Sequence, residues 1–582
     1  MRMRKKLLAS SIIAVLFPAI LLLGASCRGG GSEPTPPVTV EGGQISGVFE
    51  KGGDKAGKVA VYKGVPYAAA PVGTLRWKPP HPVEPWEGIM EANAYGPSCS
   101  QDDTEGGDFF TQMVEGQGMS RVRKTIFKLA VGLSYSPGEQ SEDCLYLNIR
   151  TPVDENSDGA GGKPVMVWIH GGGHQNGSGS DNFYQSNEMA LRGVVLVTIN
   201  YRLGPLGYFA HPALSAESEN GVSGNYGTLD QIAALRWVRD NIAAFGGDPS
   251  NVTIFGESAG GESVADMMAS PLARGLFHRA IMQSASTGET LVHLKRPVLG
   301  RMAAEEAGRV FGEKTCGDDD LDDPIKALRA MPPEELFAAF REFSEFQTYS
   351  YPIVDGYVLP KSVVGTFMDG EQAPVPLMAG SNADEGTLLF DFGKDPLGIA
   401  ASGPKTLEDY EQYVADVFGD DADEVLGLYP ATDDAGVEKA VTDIYCDGRF
   451  GAKARYFASR TADLKLPAYL YFFTRVPPSP HQTIGAFHGV EIAFVFEKTV
   501  PLFLNNEYDE ALSRTMADYW TQFAKTGNPN AEGLPEWPAY SDEDRRQMVL
   551  GPETGAAPVE RAAKCDIMER HMVGVVEQLR GG

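Results

Sequence analysis

Residues 251–268 read NVTIFGESAGGESVADMM, and this stretch restricts the fold of the chain more than any other. Its first part, Val252 to Phe255, is a short apolar, β-rich run suited to a buried strand. Gly256-Glu257-Ser258-Ala259-Gly260 then matches G-x-S-x-G, and residues 261–268 are compatible with a helix. A strand, a tight glycine turn and a helix, in that order, form a nucleophile elbow. The glycines leave room for a turn sharp enough to lift the Ser258 hydroxyl clear of the backbone. The helix that follows directs its first amides at negative charge developing beside the serine. The five-residue pattern alone is common, and an ordinary Gly/Ser turn would also satisfy it. The flanking strand and helix favour the nucleophile.

A nucleophilic serine needs donors for an oxyanion. Residues 165–169 (VMVWI) make a second buried-strand run, which ends in His170-Gly171-Gly172-Gly173. Glycines without side chains let backbone N–H groups approach a tetrahedral intermediate, each donor contributing roughly 2.7–4 kcal/mol in the transition state. The expected donors are the amides of Gly172, Gly173 and Ala259. The serine also needs a base and an orienting acid, in the chain order serine, acid, histidine. Of nine histidines, only His481, His488 and His571 lie far enough downstream. His481 sits in a Pro-Ser-Pro turn and His571 in a helical C-terminal stretch. His488 follows a strand candidate (468–473) and a loop, and precedes an apolar run, so it is preferred. The acid falls in residues 381–386, which turn off a short strand at 376–380. Spacing there does not separate Asp384 from Glu385.

The remainder of the chain fits one large α/β unit. With 42% hydrophobic and 22% charged residues it is neither disordered nor a multispan membrane protein. Its 50 basic against 78 acidic residues give a net charge of −28. Such a surface repels phosphate backbones, so nucleic acid is not an expected partner. Residues 1–26 read as an export signal: a basic start, an apolar stretch, then small residues. Leu23-Gly24-Ala25-Ser26-Cys27 resembles a bacterial lipoprotein box with Cys27 as the lipidated residue, although Leu23 is one place further from the cysteine than usual. Lipidation with membrane tethering, simple cleavage and a retained anchor are the three readings, and all place the protein outside the cytoplasm, in the cell envelope or secreted. Residues 27–43, rich in Gly, Pro, Ser and Thr, form a flexible tether. The domain runs from 44 to 582 with no second linker and no repeat. None of the six cysteines has C-x-x-C spacing, so a zinc site is not expected, and spacing does not choose the disulfide pairs.

Together these segments resemble the type-B carboxylesterase family, which includes the cholinesterases. Further matching stretches are residues 64–68 (GVPYA), 141–148 (SEDCLYLN), 200–204 (NYRLG) and the long run 224–261. The resemblance covers residues 42 to 565. It implies an α/β-hydrolase fold, a large mostly parallel central sheet with helices on both faces. It also implies a serine carboxylesterase that works without metal or organic cofactor on a small-molecule ester, the alternatives being a hydrolase specialised for carbamates, amides or a bulky natural ester, or a binding-only adhesion-type relative. The family's motifs place the nucleophile at Ser258, the acid at Glu385 (in N-A-D-E-G) and the base at His488 (in H-G-V-E). They pair Cys99 with Cys144, suggest Cys446 with Cys565, and leave Cys316 as a free thiol.

The chain also departs from its relatives. Cholinesterases carry a tryptophan in the first disulfide loop, where it stacks on choline. Residues 100–143 contain none, which points to neutral esters. That loop is long and carries Phe109, Phe110, Met113, Met119, Ile126, Phe127 and Leu129, consistent with a lid, an entrance wall or core packing. His174 follows the oxyanion glycines where relatives often have an aromatic residue. It and Glu257 are candidate pocket residues, with space filling the alternative for His174. Residues 154–159 (DENSDG) match the first half of a calcium loop, but position twelve is Val165, so a solvated turn is expected. Residues 508–525 read as an amphipathic helix ending near Gly527.

Overall fold

The computed structural model describes residues 33–581, except 53–56, 103–115, 117–137, 154–161, 289–291, 317–322, 344–350, 391–393, 395–396, 398–402, 479–481 and 499–505. Cys27, the half calcium loop, His481 and the seven apolar residues named in the first disulfide loop lie outside the described residues.

The central sheet has eleven strands. In chain order these are β1 (Val48–Lys51), β2 (Lys58–Pro66), β3 (Tyr146–Pro152), β4 (Lys163–Ile169), β5 (Val195–Ile199), β6 (Gly247–Glu257), β7 (Arg279–Gln283), β8 (Leu377–Asn382), β9 (Ala468–Phe473), β10 (Arg546–Leu550) and β11 (Gly555–Pro558). Across the sheet they run β11-β10-β9-β8-β7-β6-β4-β5-β3-β2-β1. All pairings from β5 through β4 and β6 to β10 are parallel. The three pairings beyond β5, and β10 with β11, are antiparallel.

Both faces of the parallel region are buried, as its composition requires. Along β4, Val165, Val167 and Ile169 enter one apolar cluster while Met166 and Trp168 enter the other. A strand covered on two sides reads as a continuous apolar run because its alternate side chains both meet core. The first cluster is completed by helices α1 (Tyr226–Asn241), α2 (Ala259–Ala269) and α4 (Ala452–Asp463), through Leu235, Val264, Met268 and Phe457. Helix α3 (Asp434–Cys446) precedes α4, and α5 (Glu507–Thr526) covers the opposite face through Met516, Trp520 and Phe523. Helix α5 is the amphipathic segment expected from sequence. It starts in a capping box at Asn506 and ends at Gly527, whose left-handed φ of 78° stops the helix. Helix α6 (Ala562–Gly581) closes the chain, and among the described residues no helix is long and apolar enough to cross a membrane.

Cys99 and Cys144 form a disulfide. The second expected disulfide does not form: Cys446 and Cys565 are both free and buried. The Cys446 sulfur instead accepts the Gly386 N–H at 3.1 Å, satisfying a buried donor at the start of the short helix Gly386–Leu389. Burial raises the pKa of both thiols and keeps them protonated. The Cys316 sulfur lies 3.8 Å from the Pro324 carbonyl oxygen.

Candidate active site

Four strands deliver the expected site residues to one edge of the sheet. The chain leaves β4 into the glycine loop, β6 into Ser258, β8 into Glu385, and β9 into the loop carrying His488. All four strands are parallel, so these exits share the carboxyl edge, and the order of connection reverses beside β4. This is where open α/β sheets place their ligands.

Ser258 stands between β6 and α2 with φ 56° and ψ −125°, a backbone conformation that costs a non-glycine residue about 1–3 kcal/mol. Its amide donates to the Gln283 carbonyl at the end of β7, and its carbonyl receives the Glu262 N–H, which starts the helix. The pattern's two glycines are fixed by close approach. A Cβ on Gly260 would come within 2.0 Å of the Ile169 carbonyl oxygen, and one on Gly256 within 2.5 Å of the Gly260 backbone. Helix α2 therefore crosses directly under the end of β4, bringing the elbow against the glycine loop.

That loop passes over the serine. A Cβ on Gly171 would lie 3.2 Å from the Ser258 Cβ, and Gly172 and Gly173 adopt φ values of 103° and 61°. The Gly172 carbonyl accepts the amides of Gln175 and Asn176, which curls the loop back on itself. The amides of Gly172, Gly173 and Ala259 donate to no acceptor among the described residues. His170 is buried and stacked on Tyr201, and burial lowers its pKa to about 4, so the imidazole is neutral.

The two neighbouring acids make different contacts. Glu385 is fully buried, and its Oε2 lies 2.5 Å from His488 Nδ1. Its Oε1 accepts the Ser284 hydroxyl and the Asn382 amide, each at 2.6 Å. Asp384 turns the other way and accepts the Ala486 N–H at 2.7 Å, bracing the loop that carries His488. The Phe450 ring packs on the imidazole with centroids 5.2 Å apart. His571 lies elsewhere, against Phe418.

A second buried carboxyl, Glu491, sits one helical turn beyond His488. It accepts the Asn382 side-chain amide at 2.6 Å and the Gln283 side-chain amide at 3.1 Å, and Gln283 in turn accepts the Trp520 indole N–H. Sequence reading missed Ser284, Asn382 and Gln283 as supports, because each acts through a contact remote in the chain. Glu491 had a visible signal as the last residue of H-G-V-E. His174 and Glu257 fall differently. His174 has no exposed surface, so it is enclosed rather than presented to a pocket. Glu257 is buried with its Oε1 3.1 Å from His488 Nε2, and neither atom has a hydrogen-bond partner among the described residues.

These charges bias the imidazole. Burial works against a charged His488, but Glu257 and Glu385 outweigh it and raise its pKa. Burial also pushes the Glu257 carboxyl up, against the pull of His488. For His488 to serve as a base its imidazole has to be neutral, so in that role kcat/KM is expected to rise as pH climbs through its pKa. Glu257→Gln removes one stabilising charge and is expected to move this acid limb down by about one pH unit. A pH–rate profile in which the limb stays in place would show that Glu257 does not govern the imidazole.

A family model, the Carboxylesterase family, matches residues 34–568. The chain belongs to the carboxylesterase family. It is 36% identical over 517 residues to fumonisin B1 esterase of Sphingopyxis macrogoltabida, covering 86% of this chain and 85% of that protein. It is also 36% identical over 529 residues to para-nitrobenzyl esterase of Bacillus subtilis, covering 89% and 95%. A solved PNB esterase structure superimposes with a TM-score of 0.72 at 31% identity, over 91% of this chain and 99% of that one. The fold is the α/β-hydrolase fold, and this carboxylesterase family member is a carboxylic ester hydrolase. Among the described residues no group of three or more His, Cys, Asp or Glu side chains is arranged to hold a metal ion.

Proposed function

We propose that this hydrolase works through an acyl-enzyme made by Ser258, His488 and Glu385. The observation that carries the reading is the 2.5 Å contact between Glu385 and His488 Nδ1, which leaves Nε2 as the ring atom able to accept the serine proton. Ser258 Oγ adds to the ester carbonyl carbon as its proton passes to His488 Nε2, and the carbonyl oxygen becomes an oxyanion held by Gly172, Gly173 and Ala259. Collapse of this intermediate expels the alcohol, which takes the proton from His488. Water then repeats the sequence on the acyl-enzyme and frees the acid. Glu385 fixes the tautomer that leaves Nε2 unprotonated at the start, and stabilises the imidazolium when it forms. Labelling with a fluorophosphonate and peptide mapping tests the nucleophile directly. The reading requires a single adduct on Ser258, and an adduct elsewhere overturns it.

The proposed substrates are neutral esters. With no tryptophan between Cys99 and Cys144, a choline group lacks the aromatic face that offsets its desolvation by about 2 kcal/mol. The acidic surface attracts cations, but that steering is screened beyond about 8 Å at physiological salt. Across a panel of esters, kcat/KM for butyrylcholine is expected below that for a neutral butyrate of similar leaving-group reactivity. The opposite order, persisting at high salt, would place a cation site elsewhere in the pocket.

The signal-like residues 1–26 and the box ending at Cys27 support export with lipid attachment. Acyl chains contribute about 0.8 kcal/mol per buried CH₂, so more than one chain holds a protein firmly on a bilayer. Cys27→Ala is expected to move the protein from the membrane to the soluble fraction. Unchanged fractionation would favour a retained anchor.

A further inference from the structure

His174 immediately follows the oxyanion glycines, yet its side chain points into protein. It is wholly buried and, unusually for a residue with a side chain, has a φ of 57°. Three contacts hold it. Its Nε2 lies 3.2 Å from Glu262 Oε2, its Nδ1 3.3 Å from the Tyr208 hydroxyl, and its carbonyl accepts the Gly204 N–H at 2.7 Å. Glu262 belongs to the first turn of α2, three residues after Ala259. Its other oxygen accepts the Ser286 hydroxyl, and the Ser286 carbonyl accepts Lys453 from α4. Burial pushes the Glu262 carboxyl up, but the bonds from His174 and Ser286 and the charge of Arg449 outweigh it and lower its pKa. Glu262 is therefore a carboxylate, an acceptor only, so the proton on His174 Nε2 points at it.

We propose that His174 is a positioning residue: its bond to Glu262 fastens the glycine loop to the nucleophile helix and sets the distance between the two halves of the oxyanion hole. Gly172 and Gly173 lie on the His174 side of this bond and Ala259 on the Glu262 side. The two sides come from different strands, β4 and β6, and the strained backbone at His174 has to be held by its partners. An apolar residue of the same bulk fills the space but leaves the half-buried Glu262 carboxylate with one fewer donor. The loop is then free to shift, and an oxyanion donor displaced by a fraction of an ångström loses much of its effect. The loss falls on the transition state and not on the bound ester, because the donors act on charge that develops during reaction.

The inference rests on the oxyanion assignment, and an aryl trifluoromethyl ketone separates the two. Ser258 Oγ adds to the ketone carbon, its proton passes to His488, and the ketone oxygen becomes an oxyanion in the same hole. If wild-type enzyme does not bind this ketone far more tightly than the corresponding methyl ketone, the oxyanion assignment fails. Given that it does, His174→Phe is expected to lower kcat by about 10- to 100-fold with KM within twofold, and to weaken the ketone by the same factor. His174→Gln, which keeps a donor for Glu262, is expected to recover most of the loss. Glu262→Ala cuts the bond from the other side and carries the test if the phenylalanine variant does not fold. In the double variant His174→Phe/Glu262→Ala the losses are expected not to multiply, because both remove one interaction. Unchanged kcat and ketone affinity in the variant that folds overturns the proposal. A raised KM at constant kcat does so too, by making His174 a substrate contact.

Discussion

Ser258→Ala is expected to lower kcat on a simple ester by a factor on the order of 10⁶, with the fold intact. The side chain lost is one hydroxyl, while the hydrogen bonds that hold Ser258, to Gln283 and Glu262, are made by its backbone and survive in alanine. Alanine meets the same backbone strain as serine at φ 56°, so the elbow is no harder to form in the variant than in the parent. The whole loss therefore falls on chemistry. The residual rate comes from the oxyanion donors and from holding the ester beside water, which together give triad-less enzymes roughly 10³–10⁴ over the uncatalysed reaction. The measurement is single-turnover hydrolysis of a p-nitrophenyl ester by enzyme whose thermal unfolding matches the parent. A variant within tenfold of the parent rate would remove Ser258 from the mechanism, and with it the reading of the elbow.

The sheet was legible because its strands are covered on both faces. Residues 165–169, 252–255 and 468–473 are nearly unbroken apolar runs, and all three lie within strands. The elbow was legible because its glycines are forced by contact: at Gly260 and Gly256 any side chain would strike backbone. What joins distant parts of the chain was less readable. Asp384 and Glu385 are neighbours with the same charge, and only the fold shows that one braces the loop at Ala486 while the other meets His488. The role of Cys446 is hidden from the sequence for the same reason. Its sulfur serves the Gly386 amide behind the acid, sixty residues away, a local demand that no pairing rule for cysteines contains. The contact between His174 and Glu262 leaves no trace in either motif, because Glu262 lies on the helix that follows a different strand.

Glu385→Gln is expected to cost about 10⁴ in kcat, a loss set by tautomer as much as by charge. The glutamate Oε1 accepts from both the Ser284 hydroxyl and the Asn382 amide at 2.6 Å, so a glutamine keeps those bonds by placing its single carbonyl oxygen there. Its NH₂ group then faces His488 Nδ1. A donor at that position forces Nδ1 to accept, which puts the imidazole proton on Nε2, the atom that has to receive the serine proton. Escape requires either breaking two short buried hydrogen bonds or protonating the ring without its counter-charge, and both are costly at a site with no exposure. Ester binding involves neither group, so KM is expected to change little. The pH profile supplies the second sign. Glu385 helps to raise the His488 pKa against burial, so losing its charge lowers that pKa. The acid limb of the residual activity is therefore expected to move to lower pH, the same direction as expected for Glu257→Gln. Glu385→Asp, which retains the charge and withdraws it by one methylene, is expected to lie between the two. A glutamine variant with near-parental kcat would mean that the 2.5 Å contact orients the histidine without serving the reaction, and the acid would have to be sought at Glu257 or Glu491.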